Sequence, residues 1–252
     1  MRCIYLKGVG IKMCKLLDLI EGHPKMIAFV GAGGKTTTIY NLANELISQG
    51  KRVIITTTTH IYEPENIEVA TDMEDIQKAL QGNKLLVAGK PCEDGKLTCL
   101  EERIFNELGK YADYVLIEAD GAKKMPIKVP KYNEPVLPDC IDMIVGIVGM
   151  DCVGKRIKDV CFRPQEAVKL LNEETKQIVT ENHFIIEEDI AQIIRSEKGL
   201  RKSVGQKPFK VILNKADYEE RILSAEKIIK ILELKGINDC LITSYKETER
   251  VY

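Results

Sequence analysis

The sequence lacks any block of basic charge. Its 37 Lys and Arg stand against 38 Asp and Glu, for a formal net charge of −1. A protein that grips nucleic acid needs clustered positive charge, so a dedicated nucleic-acid binder is disfavoured. Long apolar runs are also missing. The longest, MIVGIVGM ending at residue 150, is far short of the roughly 20 residues that span a bilayer, and no membrane span is expected. The opening MRCIYLKGVGIKMCKLL has no unbroken apolar core before a small-residue cleavage site, so no secretory leader is read and a cytoplasmic location is expected. The eight cysteines, at 3, 14, 92, 99, 140, 152, 161 and 240, form no C-x-x-C pair. They are expected to be small core residues or idle thiols, with no zinc site among them.

What remains is a chain of 252 residues with 44% hydrophobic and 30% charged residues, enough for a buried core and a solvated surface in one domain spanning 1–252. Strand and helix signals alternate along it. Apolar or β-branched runs at 26–30, 52–57, 84–88, 114–117, 142–148, 209–213 and 240–243 predict strands. Helical periodicity predicts helices over 35–49, 73–80, 100–109, 164–171, 187–196 and 218–235. Strands separated by helices give an α/β fold: a mostly parallel sheet with helices on both faces. Pro126, Pro130, Pro135 and Pro138 make residues 122–139 an irregular excursion or lid.

The first chemical signal is MIAFVGAGGKTT at 26–37. An apolar strand enters Gly31, Ala32, Gly33 and Gly34, then Lys35, Thr36 and Thr37 open a helix. Glycines let backbone N–H groups approach a phosphate, and the helix start adds a positive end. Lys35 is placed for the terminal phosphates and the Thr36 hydroxyl for magnesium. The common pattern G-x-x-x-x-G-K-[ST] fails at its first glycine, where Phe29 stands as a core residue. The loop is similar to that of the P-loop proteins that include nitrogenase iron protein and the urease and hydrogenase metallochaperones. Val30 occupies the place of their early lysine, so no lysine of this loop is expected to act across a dimer.

Two further strand ends carry polar residues where ligands gather in open α/β sheets. VIITTTTH ends at His60, which puts Thr58, Thr59 or His60 toward the phosphate region. YVLIEADG brings Glu118 and Asp120 to one side of a strand end. With Thr36 they offer the hard oxygens that magnesium takes, and either carboxylate could instead position water. Near the C-terminus, KVILNKAD ends in Asn214, Lys215 and Asp217, which matches the guanine-reading N-K-x-D. An aspartate accepts two hydrogen bonds from guanine that adenine does not offer. Ser244, ending the last strand, is placed to back the base.

Taken together, FVGAGGKTTT, ITTTTH, IEADGAKKMPIKVPKYNEPVLP, FRPQEA and LNKAD resemble the YqeC-type accessory proteins of selenium-dependent molybdenum hydroxylases. That resemblance implies a P-loop fold and a role in maturing a selenium-containing molybdenum cofactor, with a molybdenum hydroxylase or its maturation proteins as partners. Lys123, Lys124 and Lys128 on the excursion, and Arg163, are candidates to meet phosphate or an anionic cofactor. The expected activity is GTP hydrolysis with Mg²⁺, with ATP kept open, Lys35 and Glu118 or Asp120 being catalytic. A small-molecule kinase or transferase and a nucleotide-gated binding module are the alternatives, and a homodimer is compatible with each.

Overall fold

The computed structural model describes residues 2–6, 11–13, 15–20, 22–176 and 178–245. Its strands are β1 (Arg2–Leu6), β2 (Ile11–Met13), β3 (Met26–Gly31), β4 (Val53–Thr57), β5 (His60–Tyr62), β6 (Val69–Ala70), β7 (Leu85–Ala88), β8 (Lys90–Cys92), β9 (Lys96–Thr98), β10 (Tyr114–Glu118), β11 (Ile127–Lys128), β12 (Met143–Gly149), β13 (Cys161–Phe162), β14 (Phe209–Asn214) and β15 (Cys240–Ser244). The helices are α1 (Lys35–Ser48), α2 (Met73–Gly82), α3 (Glu102–Glu107), α4 (Ile157–Val160), α5 (Pro164–Thr175), α6 (Glu187–Arg195) and α7 (Glu219–Glu233).

The main sheet runs β2-β1-β15-β14-β12-β3-β10-β4-β7-β6. From β15 to β6 every pair is parallel. At the other edge β1 pairs antiparallel with β15, and β2 with β1. Parallel strands must be covered on both faces, and β3 shows how. Ile27 and Phe29 join a core with Ile39, Leu42 and Leu46 of α1. Ala28 and Val30 point the other way, into a core with Ile76 and Ala79 of α2 and Phe105 of α3. A third core packs Val148, Val211 and Leu213 against α5, α6 and α7. Each fully buried Leu, Ile or Phe contributes roughly 1.5–3 kcal/mol. The architecture is consistent with that of P-loop NTPases.

The sequence-derived elements all appear, with ends shifted by a few residues. The edge strands β1 and β2 were not expected, nor was the small antiparallel sheet β5-β9-β8. That sheet inserts after β4 and β7 and stands as a flap over the C-terminal ends of the strands. The excursion is packed rather than loose. Ile127 and Val129 are buried in the third core, and β11 pairs in parallel with β13.

Among the thiols, Cys152, Cys161 and Cys240 are buried. Burial pushes the Cys161 and Cys240 thiols up to about 12, which keeps them protonated and inert. Cys14 and the side chain of Cys3 lie outside the described residues.

Candidate functional site

The turn after β3 is possible only because of its glycines. Gly31, Gly33 and Gly34 have φ of 95°, 87° and 122°, a region that L side chains rarely adopt. Space is equally limiting. A Cβ on Gly33 would lie 2.1 Å from the Gly149 nitrogen, and one on Gly31 would lie 2.3 Å from the Ile147 oxygen. The glycines therefore let β12 and the excursion press against the loop. Three amides of the loop are taken up by that packing. Gly31 N–H donates to Asp120 Oδ2 at 3.0 Å, and Ala32 N–H and Gly33 N–H donate to the Ile147 and Met125 carbonyls at 2.9 and 3.0 Å. The anion-facing donors narrow to the opening turn of α1, whose first N–H groups have no helical acceptor.

Lys35 begins α1 and is buried. Its Nζ donates to the Gly31 carbonyl at 2.7 Å and sits 3.0 Å from Asp120 Oδ1. Thr36, one residue on, is exposed, and its hydroxyl donates to Glu118 Oε2 at 2.8 Å. This contact joins the loop to the end of β10, since β10 and β3 are neighbours with Glu118 level with Phe29. Burial raises the Glu118 carboxyl above its ordinary range, partly opposed by Lys35 and the Thr36 hydroxyl.

The two candidate carboxylates have different surroundings. Glu118 faces the cavity, while Asp120 is 1% exposed. Asp120 is clasped between Lys35 and Lys128, whose Nζ lies 3.1 Å from Asp120 Oδ2.

Lys128 corrects an expectation. As a loop lysine it was a candidate phosphate clamp. Its side chain is fully buried; it donates to Gly121 O at 2.8 Å and to Glu134 Oε2 at 2.9 Å, and it forms an ion pair with Asp120. Glu134 in turn is held by both terminal nitrogens of Arg163. Burial would raise the Glu134 carboxyl, but Arg163 and Lys128 outweigh it and hold the group down at about 2. Lys35, Asp120, Lys128, Glu134 and Arg163 form an alternating chain of charge from the glycine loop to the start of α5. Arg163, too, is occupied rather than free to clamp an anion. The sequence signal was available in Ile127-Lys128-Val129, a lysine between two β-branched residues on a short strand.

Asn214, Lys215, Asp217 and Ser244 come together at the ends of β14 and β15. Asn214 is buried; its Nδ2 donates to Gly33 O at 2.8 Å and its Oδ1 accepts from Thr243 at 2.9 Å. It therefore braces the glycine loop. Asp217 accepts from the Ser244 hydroxyl at 2.7 Å and pairs with Arg221 at 3.4 Å. Lys215 pairs with Asp151 at 2.9 Å.

Above these strand ends lies a cavity of about 1190 Å³. Gly33, Gly34, Lys35, Thr36, Thr37 and Glu118 form its floor, and Lys215 closes one end. Gly121 through Met125 and the flap make the remaining walls. Of the threonine-rich strand end, His60 lines the cavity. Thr58 is turned to the Ala119 and Val136 carbonyls, and the Thr59 carbonyl accepts from Thr98. The flap wall, with Tyr62, Cys92 and Lys96, was missed because strands of three residues leave little periodicity to read. Among the described residues no group of three or more His, Cys, Asp or Glu is arranged to hold a metal ion, and no helix is long and apolar enough to cross a membrane.

Comparison with known proteins agrees with the motifs. The YqeC protein family matches residues 27–165, more than half of the chain and the part that contains the glycine loop, β10 and the excursion. The "Uncharacterized protein YqeC" of Escherichia coli (strain K12) is 29% identical over 160 residues, which is 60% of this chain and 62% of that protein. The glycine loop, the acidic strand end and the family match lead to one statement: the chain belongs to the YqeC protein family.

Proposed function

We propose that this protein binds a nucleoside triphosphate with Mg²⁺, hydrolyses it, and prefers guanine. The observation that carries the reading is the hydrogen bond from Thr36 to Glu118 at 2.8 Å beside the buried Lys35 amine. A hydroxyl and a carboxylate set next to a lysine at a helix start suit a magnesium–phosphate group. Thr36 and Glu118 would hold the metal, which when bound offsets the charge on the phosphate oxygens. Lys35 stabilises negative charge on the terminal phosphates by leaving Asp120 and turning to them. Asp120 holds the Lys35 amine in place until then. Glu118 or His60 is placed to orient a water against the terminal phosphate.

Guanine preference is supported by the contact of Asp217 with Ser244 at the strand ends and by Asn214 bracing the glycine loop. It requires Asp217 to exchange Arg221 for the base. Titration of GTP and ATP, with Mg²⁺, into wild type and Asp217→Asn tests this. The variant should lose GTP and gain xanthosine triphosphate, and equal affinity of wild type for ATP and GTP would refute the base assignment. Release of phosphate from GTP without an added acceptor would separate hydrolysis from transfer. The family match and the resemblance support a role as accessory factor in maturing a selenium-dependent molybdenum hydroxylase, with the hydroxylase or its cofactor-maturation proteins as partners.

A further inference from the structure

The cavity is larger than one nucleotide site requires. At about 1190 Å³ it exceeds the roughly 300–1,000 Å³ of a usual small-molecule pocket. The sheet order gives the direction a nucleotide bound as proposed would take. A nucleotide bound as proposed runs from Thr36 toward Lys215 and Asp217 after β14, two strands to one side of β3. The flap follows β4 and β7, on the opposite side of β3, beyond Glu118. The proposed nucleotide leaves that half unused.

Its lining has a definite chemistry. Lys96 lines it from the flap, and Lys123 and Lys124 from the turn opposite, where the Lys123 amine rests 5.8 Å over the Phe162 ring. Both turn lysines are exposed and hold positive φ, 46° and 62°. The Lys96 amine sits 5.4 Å over the Tyr62 ring and 3.4 Å from Asp94. Glu93 and Asp94 line the same wall. Three amines from two separate segments suit a phosphate group. The two carboxylates beside them disfavour a bare polyanion but accept hydrogen bonds from hydroxyls.

We infer that the flap half of the cavity binds a second small molecule, one carrying a phosphate and hydroxyl groups, next to the terminal phosphate of the nucleotide. The inference rests on the nucleotide reading for the position of its neighbour. The phosphate lies between Lys96, Lys123 and Lys124, and the hydroxyls face Glu93 and Asp94.

Ribose 5-phosphate is the probe, with ribose as the control. Calorimetric titration is made into protein saturated with Mg²⁺ and a non-hydrolysable GTP analogue, and into Lys35→Ala without nucleotide. One equivalent of ribose 5-phosphate should bind in both, and ribose should bind at least tenfold more weakly. The triple variant Lys96→Ala, Lys123→Ala, Lys124→Ala should lose the probe tenfold or more while its affinity for the GTP analogue changes less than threefold. No saturable binding of the probe in either preparation overturns the inference, as does probe affinity unchanged in the triple variant. If the triple variant loses the GTP analogue as strongly as the probe, the lysines belong to the nucleotide site and the inference fails. If wild type ignores the GTP analogue but Lys35→Ala binds the probe through the three lysines, the nucleotide reading falls and the second site stands.

Discussion

Replacing Lys128 by methionine keeps an unbranched apolar stem, one heavy atom shorter, and removes the charge and the donors. The Lys128 side chain is fully buried and serves Asp120, Glu134 and the Gly121 carbonyl at 3.1, 2.9 and 2.8 Å. After the change Asp120 retains Lys35 and the Gly31 amide, and Glu134 retains Arg163. Gly121 O loses its lysine donor and Asp120 Oδ2 loses its cation, while Glu134 Oε2 is left with Arg163 alone. Removing one member of a buried ion pair costs about 3–5 kcal/mol, most of it from the charge left behind. With a urea slope of about 3 kcal/mol per M, the unfolding midpoint should fall by about 1 M or more. The loss should depend on pH. Glu134 is held at about 2, below its ordinary 4.5. A depressed carboxylate contributes stability above its unfolded pKa and loses it as pH falls through the folded one. The wild-type advantage should therefore be full above pH 4.5 and shrink toward pH 2. Urea melts monitored by circular dichroism at several pH values measure both effects. A destabilisation under about 1 kcal/mol at pH 7, or a gap that stays constant down to pH 3, would refute the buried-charge argument.

Glu118→Gln should stabilise the nucleotide-free protein by about 0.5–2 kcal/mol at pH 8. Burial raises this carboxyl above 4.5, so its ionisation disfavours the fold increasingly as pH rises; thermal melts at pH 5 and 8 should show a larger gain at pH 8, and the same variant should lose the Mg²⁺ dependence of nucleotide binding. Asn214→Ala leaves the Gly33 carbonyl and the Thr243 hydroxyl without their partners, at about 1–3 kcal/mol for each group; chemical denaturation should show it, and binding assays should show weaker nucleotide affinity because the loop loses its brace. Gly33→Ala forces a Cβ to within 2.1 Å of the Gly149 nitrogen and 2.7 Å of the Pro126 oxygen; nucleotide binding should fall at least tenfold, and retention of wild-type affinity would show that the loop can move off β12 at no cost.

Much of the fold could be read locally. Period-2 and period-3.6 patterns, with β-branched strands and glycine stops, located the parallel strands and their helices, because each such element has to cover an apolar face. What escaped were short elements whose stability comes from partners distant in the chain. The edge strand β1 exists by pairing with β15, and the flap strands span three residues each. Neither leaves a periodic signature.

The site divides the same way. By itself the sequence determined that Gly31 to Thr36 form a glycine-rich strand-to-helix turn, because Gly31, Gly33 and Gly34 hold a backbone that other residues rarely adopt. It also marked Glu118, Asp120 and Asp217 as carboxylates at strand ends. Only the tertiary structure decided what each carboxylate does. Glu118 opens to the cavity beside Thr36, whereas Asp120, two residues away, is closed between two lysines. That difference depends on Lys128 arriving from the excursion and being held there by Glu134 and Arg163. Burial and pairing are properties of what surrounds a side chain, and those surroundings come from segments that are remote in sequence.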